Sequence, residues 1–156
     1  SKGFGEYIGK FREQEYYSFP TASVLAKADE EDLKEKYKVG FRAKYIVESS
    51  RMINEGRVDL NQLYELPSDE AQEILMTLPG VGPKVSSCIL LFAFQKTDSF
   101  PVDVWVKRVM EYFYFKKDTK LKDISDFAYE KFGPLAGYAQ QYLFYYAREL
   151  GIGKNK

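Results

Sequence analysis

Apolar residues return at helical spacing in four separate places along this chain. Ala71, Ile74, Leu75 and Leu78 stand at i, i+3, i+4 and i+7. So do Val85, Cys88, Ile89 and Phe92; Val106, Val109, Met110 and Phe113; and Ala139, Tyr142, Leu143 and Tyr146. That spacing lines one face of a 3.6-residue helix. No stretch sustains a strand-like alternation, so the pattern predicts an all-α fold. At 156 residues, 45% of them hydrophobic, the chain is long enough for one domain with a real core.

Punctuation places the helix ends. Thr21 is expected to cap a helix over 22–28, and Asp29 one that ends near Gly40. A helix over 42–55 stops at Gly56, and Ser68 after Pro67 opens another. Pro101 and Asp103 mark a loop and then a cap, and Gly133-Pro134 separates the last two helices. This gives a helical domain over 1–150, followed by a polar, flexible tail over 151–156. The opening "SKGFGEYIGKF" carries neither a cap nor an initiator Met, as though the chain starts in the middle of something.

Composition narrows the function. The single cysteine, Cys88, forbids an internal disulfide framework and fits a reducing cytosol. With no histidine either, a zinc or iron–sulfur site is not expected. The apolar runs are too short to span a bilayer. Net charge is zero, so any nucleic-acid binding must come from local geometry rather than bulk charge. General acid–base work would fall to Asp, Glu, Lys or Tyr.

Between the helix ending near Leu78 and the one starting near Pro83 stands only "PGVG". Proline suits the first helical position, where its missing N–H would be unpaired anyway. Gly80 and Gly82 let the backbone turn sharply and come close to another backbone. The free N–H groups of the new helix, Val85 among them, form an anion site that suits a DNA phosphate. A structural cation held by loop carbonyls could add to it. A plain αα-turn is the structural alternative.

Lys84 lies at the second position of the new helix, where the dipole slightly disfavours a cation. It is either a solvated helix-end lysine or a group kept for chemistry. Nineteen residues later comes Asp103, placed as an N-cap by "FPVDVWV". Capping alone, worth about 1 kcal/mol, would explain an aspartate there, but not its pairing with Lys84.

The combination of "LPGVGPK" with "FPVD", "GFRAKY", "PVDVWVKR" and "FGPLAGYAQQYLFYYAREL" resembles the helix–hairpin–helix DNA glycosylases that carry a catalytic lysine and aspartate. Within them it is most similar to the 8-oxoguanine DNA glycosylases. The resemblance covers nearly the whole chain and puts the hairpin at about 70–95. It implies a base-excision repair glycosylase/AP lyase acting on double-stranded DNA with an oxidised base, as a monomer without a cofactor. The location would be cytoplasmic and nucleoid-associated in a bacterium, or nuclear in a eukaryote. Members usually carry an N-terminal β-rich domain and further helices that this sequence lacks. The fold is therefore expected to be incomplete at its N-terminus, with weak damage discrimination by the chain alone.

The resemblance gives the chemical roles. Lys84 is the amine that attacks C1′ and forms a Schiff base, with β-elimination and strand nicking to follow. Asp103 stabilises positive charge developing on the sugar. An ordinary lysine titrates near 10.4, so the free amine costs about 4 kcal/mol at neutral pH. Desolvation by the bound nucleotide, or proton transfer to Asp103 or the departing base, must supply most of that. The target base must be flipped out. The resemblance places its pocket at Cys88, Phe92, Gln140 and Phe144. Each pair is i, i+4 on one helix, so a planar base could lie between Phe144 and Cys88 while Gln140 bonds its Watson–Crick edge. Ordinary core packing is the alternative for Cys88, Phe92 and Phe144. Phe41 and Arg42 match positions that fill the gap and contact the orphaned cytosine. Trp105, at a helix N-terminus near a phosphate, stands where eukaryotic members carry histidine, which looks bacterial. Two other readings stay open: a glycosylase for oxidised pyrimidines, and a non-catalytic module in which Lys84 touches only phosphate.

Overall fold

The computed structural model describes residues 2–152. Most of them are helical, as the periodicity predicts. The helices are α1 (Ala22–Leu25), α2 (Glu30–Glu35), α3 (Arg42–Asn54), α4 (Gln62–Glu65), α5 (Ser68–Met76), α6 (Pro83–Ala93), α7 (Val104–Met110), α8 (Leu121–Phe132) and α9 (Ala136–Glu149). A wider π turn, Glu111–Phe115, continues α7, and a 3-10 turn, Gly133–Leu135, joins α8 to α9. The described residues divide into two compact units, one of 2–62 and 77–80, the other of 63–76 and 81–152.

The chain is not wholly helical. β1 (Tyr7–Phe11) pairs antiparallel with β2 (Gln14–Tyr17). Their two-residue turn places Arg12 and Glu13 at φ of 44° and 64°. Hairpin turns of that hand normally draw Asn-Gly, so "RE" gives no signal. Nor does the pattern, because nearly every strand residue is exposed and no buried face forces alternation.

In the first unit Thr21 and Asp29 cap as expected, accepting from the N–H groups of Val24 and Asp32. Both helices stop earlier than the expected ends at 28 and near Gly40; α1 ends at Leu25 and α2 at Glu35. Lys38 and Gly40 then take left-handed φ, which closes off helical continuation. Ala28, Leu33, Ala43 and Val47 form this unit's core, with Phe4, Val39 and Ile46 packed against it.

The second unit's core is Phe100, Val102, Val106, Met110, Ile124, Ala128 and Ala136. Two expected stripes are rotated. On α6 the buried residues are Ser86, Leu90 and Leu91, while Val85 and Phe92 are exposed. On α9 they are Ala136, Gly137, Gln140 and Ala147, while Tyr142 and Tyr146 face outward. Hydrophobicity misled there because the contacts select small side chains. A Cβ on Gly137 would lie 2.4 Å from Leu91 Cδ1, 2.7 Å from the Ser99 carbonyl oxygen and 3.0 Å from that of Thr97. Gly137 N–H also donates to the Thr97 carbonyl at 2.7 Å. The backbone atoms cannot rotate aside as a side chain would. Gly137→Ala should therefore destabilise the chain by about 1–3 kcal/mol, read as a lower urea midpoint with unchanged slope.

Gly151 and Ile152, assigned to the tail by sequence, instead close α9. Gly151, at φ 67°, donates to the Arg148 carbonyl and Ile152 to that of Ala147. The rest of the expected tail, 153–156, lies outside the described residues.

Candidate active site

α6 starts at Pro83, with Gly82 extended in the N-cap position and no side chain capping it. The first-turn N–H groups are thus left to an external acceptor. Lys84 occupies the second position of that turn. Its amine has no ion-pair partner among the described residues.

Gly80 takes φ 77°, and a Cβ there would lie 2.5 Å from Tyr45 Cδ2. Both the turn and the close ring therefore require glycine. Gly82, extended and with open space around its missing Cβ, is not constrained in this way. Val85 is exposed on the same first turn.

Sequence reasoning missed what holds this turn. Gln72 on α5 places Nε2 3.2 Å from the Pro83 carbonyl oxygen, 3.1 Å from Ser86 Oγ and 2.8 Å from Ser87 Oγ, so that its two protons are shared among three acceptors. Ser86 Oγ bonds back to the Gly82 and Pro83 carbonyls, and Ser87 Oγ to that of Pro83. The available signal was the serine pair interrupting an apolar helix.

Asp103 caps α7, its Oδ1 accepting from Val106 N–H at 2.8 Å. The loop before it is anchored on both sides of Pro101, because Phe100 and Val102 are buried in the core and the Phe100 ring stacks on Phe132 at 6.3 Å. Gln140 adds a strut: its Nε2 donates to the Pro101 carbonyl at 3.2 Å, and its Oε1 accepts from Gln141. The side chain is 6% exposed. It keeps one N–H and one lone pair beyond these bonds.

The other expected pocket residues do not share one of the cavities described here. Trp105 and Phe144 line a cavity of about 420 Å³ with Val109, Ala147, Arg148 and Ile152. Phe92 lines another of about 200 Å³ with Leu91, Gln95, Thr97, Tyr138 and Gln141. Core packing does not account for Phe92, which is 63% exposed. Phe144 is partly buried against the core, and Cys88 is a half-buried free thiol. Arg108 lies 5.4 Å from the Trp105 ring. Further along α7, the Lys107 amine is held above its ordinary pKa mainly by its hydrogen bond to Asp118, 2.6 Å away, with Glu111 adding to the effect.

Phe41 and Arg42 belong to the first unit. Phe41 precedes α3 with its ring 71% exposed; the Arg42 guanidinium lies 4.7 Å from that ring and Tyr45 meets it edge-on.

Known proteins resemble this chain in sequence and in fold. A probable N-glycosylase/DNA lyase of Methanothermobacter thermautotrophicus is 35% identical over 91% of this chain and 51% of its own length. An N-glycosylase/DNA lyase of Arabidopsis thaliana is 32% identical, covering 90% of this chain and 41% of its own. The crystal structure of Clostridium acetobutylicum 8-oxoguanine glycosylase/lyase, in complex with double-stranded DNA containing cytosine opposite 8-oxoG, superposes with a TM-score of 0.90. It is 45% identical and covers 97% of this chain and 52% of that one. The chain thus spans about half the length, or less, of the relatives it matches. The family model for HhH-GPD superfamily base excision DNA repair proteins matches residues 4–134, and the chain belongs to that superfamily.

Proposed function

We propose that the chain carries the catalytic machinery of a DNA glycosylase/AP lyase that removes 8-oxoguanine from duplex DNA. The observation that carries this reading is Lys84: a lysine with no ion-pair partner among the described residues, on an uncapped helix turn that follows the extended Gly82, in the same unit as the anchored Asp103. In this reading the hairpin N–H groups grip a DNA phosphate, and binding weakens with added salt. Gly80 and Gly82 shape that grip, and Val85 and Trp105 face the backbone. Phe41 and Arg42 fill the gap left by the flipped base.

The steps follow from the groups present. The neutral Lys84 amine attacks C1′, and the bond to the base breaks with its electron pair leaving on the base, which takes up a proton. Asp103 stabilises the positive charge on the sugar during that passage. Ring opening places a proton on O4′ and leaves an imine. Loss of a C2′ proton then expels the 3′ phosphate, and water hydrolyses the imine to restore the lysine. No redox or metal-assisted step enters, so no cofactor is called for. Cys88, Phe92, Gln140 and Phe144 receive the base, and the chain acts as a monomer on DNA. No helix among the described residues is long and apolar enough to cross a membrane.

The test is borohydride trapping against a panel of duplexes holding 8-oxoguanine opposite cytosine, an oxidised pyrimidine, or an abasic site. A covalent adduct with the abasic duplex, and faster trapping with 8-oxoguanine than with the pyrimidine, is expected. Preference for the pyrimidine would reassign the substrate. Binding without an adduct on any duplex would leave a DNA-binding module.

A further inference from the structure

We propose that Gln72 is a positioning residue for Lys84, an inference that rests on the lysine reading above. α6 has no side-chain N-cap, and within its own element only the Ser86 and Ser87 hydroxyls bond back to the Gly82 and Pro83 carbonyls, which ties the turn to itself but not to any neighbouring element. Gln72 reaches over from α5 instead. The two protons of its carboxamide are shared among the carbonyl of the residue immediately before Lys84 and the hydroxyls two and three residues after it. The lysine backbone is therefore bracketed from both sides by one side chain.

The bonds do more for orientation than for overall stability. Ser86 is fully buried, but its hydroxyl proton is already taken by the Gly82 and Pro83 carbonyls, and that of Ser87 by Pro83. Removing Gln72 leaves those protons satisfied. What is lost is the tie that stops the uncapped turn from sliding or tightening against α5. Attack on a sugar carbon tolerates little of this, since a misplacement of about 1 Å costs on the order of 10²-fold in rate.

The test uses this chain, its Gln72→Met and Gln72→Glu variants, and a duplex with a single abasic site, so that base recognition plays no part. Methionine keeps the length and helix propensity of glutamine without a donor, and the glutamate carboxylate only accepts. Both variants should trap the DNA roughly ten- to a hundredfold more slowly at saturating protein. Their Kd for the duplex should stay within twofold, and amide exchange should quicken in residues 84–88 but not in α8. Trapping within twofold of the unsubstituted chain, or a slowing matched by an equal loss of binding, overturns the proposal. If the unsubstituted chain forms no adduct, the lysine chemistry fails on its own account. Exchange then decides the clamp alone: unchanged exchange at 84–88 in Gln72→Met refutes it.

Discussion

Lys84→Gln should reduce borohydride-trapped adduct to background while leaving duplex binding within a few-fold. The amide fits the same exposed position at the start of α6 and leaves the Gln72 bonds around it untouched. It cannot form an imine, so no covalent route through that position survives. At most one phosphate contact goes with the charge, which lowers the salt dependence of binding by about one unit of slope. The measurement pairs trapping on an abasic duplex with a salt titration of Kd. Adduct persisting in the variant would move the nucleophile elsewhere. Loss of adduct together with complete loss of binding would make Lys84 an anchor for DNA rather than a reactant.

Asp103 caps α7, and the proposed function gives it a second job that substitutions can pull apart from the first. Asparagine is as good an N-cap as aspartate, so Asp103→Asn should keep the bond to Val106 N–H and leave stability within a few tenths of a kcal/mol. It removes the negative charge that the proposed function sets against the sugar, and the single-turnover rate should fall by about 10²–10³. Asp103→Ala should show the same rate loss together with about 1 kcal/mol of destabilisation from the missing cap. Measured side by side, the two variants separate chemistry from folding. If Asp103→Asn keeps full rate, the carboxylate is only a cap. If its stability falls as far as that of Asp103→Ala, the cap depends on charge, and the rate loss must be corrected for unfolded protein.

Much of the frame was legible because helix boundaries leave local marks. Thr21, Asp29, Ser68, Pro83 and Asp103 all stand at or immediately before helix starts as the sequence implies. Which face each helix buries was less legible. The α9 stripe was read from its aromatics, yet burial there is set by how closely a helix approaches its neighbour. Gly137, Ala136 and Ala147 go inside because they are small, and the tyrosines stay out because they are not. The β-hairpin escaped notice because both faces are largely in solvent and its turn has no glycine. At the site, Lys84 stood out because the helix dipole does not favour a cation there, whereas Asp103 was legible first as a cap and only its pairing with Lys84 went beyond that. Gln72 did not, because one polar residue on a helix carries no mark of the three acceptors it will meet in space.

The bond between Gln140 and Pro101 joins a side chain on α9 to a backbone only two residues from the carboxylate. If Gln140 receives the base as proposed, a guest that engages the remaining donor or lone pair of that amide loads the same bond that holds the loop before Asp103. Sorting between guests would then be written into turnover speed rather than residence time. A poorly matched base could linger as long as a good one and still leave the sugar intact.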